Sequence, residues 1–413
     1  MWNIHGKTYN LHSFLNKHPG GRAILEASIG NDDLTATFES YHAFSDMDKI
    51  KLIMKNYEVA ECNPSKISFK SDGFYRILQN RVKYVLKNNT KSNLCWIIKI
   101  SIQTIIFIIS FFITFYFHSI NIIYRIGSAF IAAHMLLQIG FCGMHDASHM
   151  AISNNKNTNE LISKVWNSIA LWDNQLWIQH HVIRHHAFTG DYKMDPDIIH
   201  FKPFIRKSNK ISHKGYLNIS KRYPILIALF TICIFPGMFV GQGIMYHFIW
   251  IKKKFLWKMN LSKMYNISIW QIILKLFIIF SFIYGRSISI LFAYAICSNI
   301  TYAVCILPDH DTFETTQNHI NYTEGIDWGE IQVKNSGNFC TQKPWFSSLF
   351  GGINYQIEHH LFPTLCHVHF HKIKPIVKLT CKEFGIPYVC HDSFFGAINS
   401  TLKHYSISSK EDI

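Results

Sequence analysis

Residues 120–149 read INIIYRIGSAFIAAHMLLQIGFCGMHDASH, and this stretch decides the fold. Its first part, Ile120–Met144, is apolar. As a helix rising about 1.5 Å per residue, it is long enough to cross a hydrocarbon core of about 30 Å. Its end carries His145 and His149, four residues apart and so on one helical face. One such pair alone reads as interfacial polar groups. The reading changes because the pattern recurs.

Two further clusters repeat it: His181-Val182-Ile183-Arg184-His185-His186 and Gln356-Ile357-Glu358-His359-His360. His181 and His185 are again four apart, as are Gln356 and His360. The chain holds 24 His in 413 residues, and imidazole is the commonest transition-metal ligand. Imidazoles suit iron, and several can hold two irons without neutralising the site as carboxylates would. Asp146, Asp195, Asp197 and Glu358 are expected to hold ring N–H groups around the ligands.

The clusters form one site only if the chain returns them to one membrane face. Spans are expected at about 94–117, 120–144, 267–284 and 287–307. Residues 161–178 read as an in-plane helix. The stretch 224–250 is broken by Pro236-Gly237 and Gly241-Gln242-Gly243 and reads as in-plane or re-entrant. Lys and Arg crowd 81–91, 202–222 and 252–263, whereas the connectors near 118–121 and 284–286 hold only Arg286. The positive-inside rule therefore puts the histidine side in the cytosol. The net charge of +15 flanks membrane segments, which excludes a nucleic-acid surface. Ten Cys without a CxxC pair give neither a disulfide framework nor a zinc site. Residues 1–20 lack the apolar run of a secretory signal, so the first unit is expected to stay in the cytosol.

That unit is polar and globular in pattern. His18 stands before a Pro19-Gly20-Gly21 turn, and His42 follows 24 residues later, after a short helical stretch. Two such imidazoles facing one pocket are what axial haem ligation needs. Asn63-Pro64-Ser65-Lys66 reads as a linker, and residues 72–91 as a basic amphipathic helix leading to the membrane.

Trp2, Gly6-Lys7-Thr8-Tyr9, Phe14-Leu15, His18-Pro19-Gly20-Gly21 and His42 together resemble cytochrome b5. That family usually has a further strand and helix before the position of Trp2. The three clusters, HDASH, QHHVIRHHAFTGDYKMDPD and GGINYQIEHHLFP, resemble the histidine boxes of membrane fatty-acid desaturases. Gln356 heading the third box, behind an N-terminal haem unit, is similar to the front-end subgroup. Those enzymes place a double bond between an existing one and the carboxyl end. Thr189-Gly190 departs from the Thr-Asn common at this box edge.

The resemblance implies a mostly α chain. A small α+β haem domain would occupy 1–60, and a linker with an amphipathic helix 61–93. An α-helical membrane domain over 94–413 would have about four transmembrane helices and a cytosolic His-rich cap. It implies haem b on His18 and His42. It also implies two non-haem irons on His145, His149, His181, His185, His186, His359 and His360, with Gln356 a further ligand or water-holder. His310 is the natural candidate for one more ligand, ahead of His319. O2 is the implied co-substrate, and an NADH–cytochrome b5 reductase the implied electron donor. The substrate is a fatty acyl chain, as acyl-CoA or phospholipid, in an endoplasmic reticulum bilayer. A sphingolipid long-chain-base desaturase, a cytochrome b5-fused lipid hydroxylase and a membrane-anchored electron carrier stay open as rivals. His134 and His247 are expected as buried polar partners. His367, His369 and His371 are expected as surface or headgroup contacts, and His180 has no assigned role.

Overall fold

The computed structural model describes residues 1–408 except 32, 88, 200–201, 209, 232–254, 257–258 and 261–267. His247 and most of the 224–250 stretch lie outside the described residues.

The N-terminal unit folds from short alternating segments. β1 (Trp2–Ile4) pairs antiparallel with β2 (Lys7–Tyr9), with Trp2 opposite Tyr9. β3 (Glu58–Glu61) adds to the other side of β2. Between the strands run α1 (Arg22–Ser28), α2 (Thr35–Tyr41) and α3 (Met47–Lys55). Strand alternation turns Trp2 and Ile4 to one face, where they meet Leu11, Leu15, Ile29 and Leu34. The Trp2 indole N–H donates to the Leu25 carbonyl and the Ser28 hydroxyl, both at 3.0 Å. Ile183, from the second histidine box, belongs to the same apolar cluster. The unit therefore docks through shared core.

α4 (Phe74–Leu86) is amphipathic, as its sequence predicts, but its apolar face does not lead to the membrane. Phe74, Tyr75, Leu78, Val82 and Leu86 are buried against Trp328, Phe370, Ile373 and Val377 from the C-terminal third. Arg76 reaches Glu39 at 2.6 Å, and Gln79 donates to the Ala43 carbonyl at 2.7 Å. This helix clamps the first unit to the last. An apolar stripe looks the same in sequence whether it faces lipid or protein.

α5 (Leu94–Phe115) and α6 (Ile122–Ile139) pack along one another, α7 (Lys156–Ile169) follows, and α9 (Ile288–His310) packs along α6. Asn93, Asn121 and Ser287 start these helices by accepting from the backbone N–H of Trp96, Ile123 and Ile290. Among the described residues, three segments are long and apolar enough to cross a membrane: Leu94–Phe115, Ile122–Ser148 and Ile288–Asn318. About four were expected. The remaining one, α8 (Ile269–Tyr284), is apolar but has 16 residues, about 24 Å of helix. That is short of a hydrocarbon core of about 30 Å.

Arg125 joins these helices at the end remote from the histidines. Its buried guanidinium donates to the Thr114 carbonyl at 3.0 and 3.1 Å and to the Gly285 carbonyl at 3.0 Å. It thereby satisfies terminal carbonyls of α5 and α8 that have no helical partner. Arg125→Met is expected to leave them bare, cost about 1–3 kcal/mol and lower the thermal midpoint in detergent. An unchanged midpoint would show that these carbonyls find other partners.

Candidate metal centre

α6 widens at its end into π-helical winding over Gly140–His145, then closes with the turn Asp146–Ser148. The second box winds the same way over Ile178–His185, and the His186 N–H donates to the carbonyl of His181, five residues back, at 3.2 Å. In α winding, residue 186 would point well away from 181. The wider turn brings both to one face.

Five imidazoles converge as a result. The ligand atoms of His145, His149, His181, His186 and His359 lie within 4.8 Å of one another, all in buried side chains. His145 Nε2 is 2.9 Å and His186 Nε2 3.2 Å from His181 Nε2. A second group adjoins the first: His185, His310 and His360 again place ligand atoms within 4.8 Å. The Gln356 amide lies 2.9 Å from His310 Nε2 and 3.1 Å from His360 Nε2. The rings of His186 and His360 stack at 4.3 Å between centres, so the groups share a wall.

Outer contacts set which nitrogen faces inward. His310 Nδ1 meets the Asn335 carbonyl at 2.8 Å, and His360 Nδ1 meets Gln332 Oε1 at 3.0 Å. Each Nδ1 therefore carries the proton, and each Nε2 keeps a bare lone pair. Burial, reinforced by neighbouring imidazoles, holds His181, His186, His359 and His360 well below the ordinary histidine range. Neutral imidazole is the form that binds a metal. Burial also lowers His185, but Asp197 and Asp195, 3.3 and 3.1 Å from its Nδ1, outweigh it and hold the ring up to about 9.

The four acidic residues divide. Asp195 and Asp197 hold His185, and Asp197 also takes His180, which stands outside both groups. Asp146 and Glu358 correct the expectation. Asp146 accepts from His367 Nδ1 at 2.7 Å, and Glu358 accepts from Asn338 and Tyr388 at 2.7 Å each. Adjacent helical residues diverge around the axis, so the neighbours of His145 and His359 point away from the centre. Burial pushes the Glu358 carboxyl up to about 7. His367 and His369 are likewise buried, the second meeting the Lys91 carbonyl at 2.7 Å, so neither is a surface group. His319 stacks on Tyr192 and meets the Gly190 carbonyl at 2.7 Å, outside both groups. His134 is half-buried.

Gly190 has a φ of +80°, and a Cβ there would stand 2.5 Å from the Asn335 amide. Asn335 instead donates to the Thr189 carbonyl at 2.8 Å, so the departure at this box edge is matched by its neighbour. Sequence reading missed Asn335, Gln332, Trp177 (stacked 4.3 Å from His181) and Tyr41 at His149. None stands in a repeated pattern, and only contacts across the fold mark them.

His18 and His42 form a separate pair, with ring centres 6.3 Å apart. Nδ1 of His18 meets the Gly21 carbonyl at 3.0 Å, and Nδ1 of His42 meets the Phe38 carbonyl at 2.7 Å. Each Nε2 therefore points the other way. Gly21 adopts a φ of +95°, which turns its carbonyl back to the ring and which a side chain would oppose. Two metal–imidazole bonds of about 2 Å, with half a ring at each end, span about 6 Å, so one iron fits between them.

Residues 121–391 match the fatty acid desaturase family, and residues 1–63 match the cytochrome b5-like heme/steroid binding domain. The first match covers more than half of the chain, which belongs to the fatty acid desaturase family, an oxidoreductase family of membrane proteins. It is 25% identical over 425 residues to the acyl-lipid (8-3)-desaturase of Mortierella alpina, covering 98% of this chain and 92% of that protein. It is 25% identical over 454 residues to the probable Delta(5) fatty acid desaturase C of Dictyostelium discoideum, covering 100% and 93%. It is 26% identical over 414 residues to the chloroplastic acyl-lipid (7-3)-desaturase of Chlamydomonas reinhardtii, covering 94% and 76%.

The b5-like domain implies haem, and the family with its histidine groups points to iron. The residues fit both. His149 Nε2, His359 Nε2, His186 Nδ1 and Gln356 Oε1 are buried without a hydrogen-bond partner, a costly state that a bound cation relieves. His42→Ala is expected to abolish the haem absorption band and spare non-haem iron, whereas His359→Ala should do the reverse. Both metals lost from either purified, folded variant would show that the two sites are not separate.

Proposed function

We propose that this chain inserts a double bond into an unsaturated fatty acyl chain on the carboxyl side of an existing one, as a Δ5- or Δ6-type desaturase. The carrying observation is the pair of adjoining imidazole groups under one apolar cleft, on a chain that also holds a bis-histidine pair. The names of the Mortierella and Dictyostelium relatives support the same class.

One iron would be held by His145, His149, His181, His186 and His359, the other by His185, His310 and His360 with Gln356. Bound there, the irons supply O2 activation and the oxidising power that removes two hydrogens from adjacent methylenes, giving an olefin and water. The protein does the rest. A cleft opens on His145, His181, His310 and Gln356. Leu137, Phe141, Met144, Trp166, Trp172 and Tyr302 line it, a wall that accepts a hydrocarbon chain and excludes water. His185 is fixed by Asp195 and Asp197, and His360 by Gln332, so ring orientation is set before substrate arrives. His18 and His42 would hold haem b, passing electrons singly from a reductase of the NADH–cytochrome b5 reductase class. Residues 1–60 then act as the donor unit and 94–413 as the catalytic unit, in the endoplasmic reticulum membrane with both sites facing the cytosol.

The test is expression in a yeast that makes no polyunsaturated lipids, fed a panel of unsaturated fatty acids. Mass spectrometry is expected to find a new double bond on the carboxyl side of an existing one. Purified protein is expected to hold about three irons, one of them in haem. Altered sphingoid bases or hydroxylated lipids, with fatty acids unchanged, would move the assignment to those substrates. One iron per chain, all of it haem, would sink the di-iron centre.

A further inference from the structure

Tyr41 ends α2 and immediately precedes His42 of the bis-histidine pair. Its side chain leaves the N-terminal unit and enters the imidazole cluster. The hydroxyl lies 2.5 Å from His149 Nδ1 and 3.4 Å from the Val182 carbonyl, and the Tyr41 and His149 rings stack 5.8 Å apart. The protons follow from the roles of the partners. The hydroxyl donates to the Val182 carbonyl, which can only accept. The phenol oxygen then accepts from His149 Nδ1–H, leaving His149 Nε2 as the bare lone pair, the atom that is buried without a partner.

We propose that Tyr41 is the bridge that carries electrons from the haem site to the iron centre, along His42, the Tyr41 backbone and ring, its hydroxyl and the His149 imidazole. The inference rests on the reading of the two sites given above. Each transfer moves one electron: haem iron passes from ferrous to ferric, one non-haem iron passes from ferric to ferrous, and Tyr41 keeps its proton and is not itself oxidised. Two transfers supply one turnover, and a one-electron reductase re-reduces the haem each time.

Docking alone does not account for the contact with His149, although the bond to the Val182 carbonyl also helps to seat α2. A Phe at 41 would fill the same space, and Thr37, one turn earlier, already ties α2 to the Ile183 carbonyl at 3.5 Å. The hydroxyl adds a polar contact to a ring whose far nitrogen faces the metal group. That is a continuous chain of bonds and one hydrogen bond between two redox sites, in place of a gap.

The experiment uses the full-length protein loaded with haem and iron. Under anaerobic conditions, with non-haem iron ferric, the haem is reduced by a light flash and its re-oxidation is followed by visible absorption. Tyr41→Phe is expected to slow re-oxidation at least tenfold while leaving the haem spectrum and the iron content unchanged. Thr37→Val, which removes a docking contact only, is expected to match the parent rate. With every iron reduced chemically beforehand, Tyr41→Phe is expected to give the parent yield of olefin in a single turnover with O2 and acyl substrate. Parent-rate re-oxidation in Tyr41→Phe would overturn the bridge. So would loss of single-turnover product in the fully reduced variant, which would place Tyr41 in the chemistry at iron. Failure of the underlying reading would show in the unaltered protein, as absent non-haem iron, and would take the bridge with it.

Discussion

Buried imidazole can neither stay bare nor take on charge cheaply, and that constraint organises this protein. Each ring of the cluster has two nitrogens, and in the neutral form only one carries a proton. Removed from water, the protonated nitrogen needs an acceptor and the bare one needs a donor or a cation. The structure supplies acceptors on the outside: the Asn335 carbonyl for His310, Gln332 for His360, and Asp195 and Asp197 for His185. Inside, ring nitrogens crowd together, with His145 Nε2 and His181 Nε2 2.9 Å apart, and His149 Nε2 and His359 Nε2 have no hydrogen-bond partner. Such an arrangement is unfavourable until a cation occupies it, so the fold stores a demand for metal in its own core.

The backbone around the site answers the same demand. Regular α winding would offer one histidine every turn to a single face. π-helical turns at Gly140–His145 and Ile178–His185 let successive residues serve both groups. His186 joins His181 in the first, while His185 turns to the second. Winding of this kind is uncommon and recurs at functional sites. Here it has a geometric cause: two adjoining groups of imidazoles are filled from few chain segments.

Much of this was legible in the sequence because it is periodic. Histidines four apart, long apolar runs and the His18–His42 interval are patterns within one segment, and the segments were found by them. What was not legible depends on which segment lies opposite. The stripe of α4 reads as a membrane-seeking face, yet its partners are Trp328 and Phe370. Asp146 and Glu358 sit beside proposed ligands in sequence and point away from them in space. The run 267–284 reads as a span on apolarity, yet α8 falls short in length. His367 reads as a surface group until Asp146 is seen against it. Sequence reports a residue's face well and its partner poorly.

The second box shows how the two units were made inseparable. His181, His185 and His186 look inward, and Gln179, Ile183 and Arg184 look outward at the N-terminal unit. Ile183 completes the cluster around Trp2 and Leu34, and Gln179 donates to the Ala27 carbonyl at 2.7 Å. One helical segment thus carries ligands on one face and the docking surface on the other. A change that loosened the docked unit would also tilt these imidazoles, so the docking and the cluster are held by the same backbone. Covalent fusion alone would raise only the local concentration of the N-terminal unit. Sharing a core with the histidine-bearing helix fixes its position, and position is what the proposed electron transfer over a short distance requires.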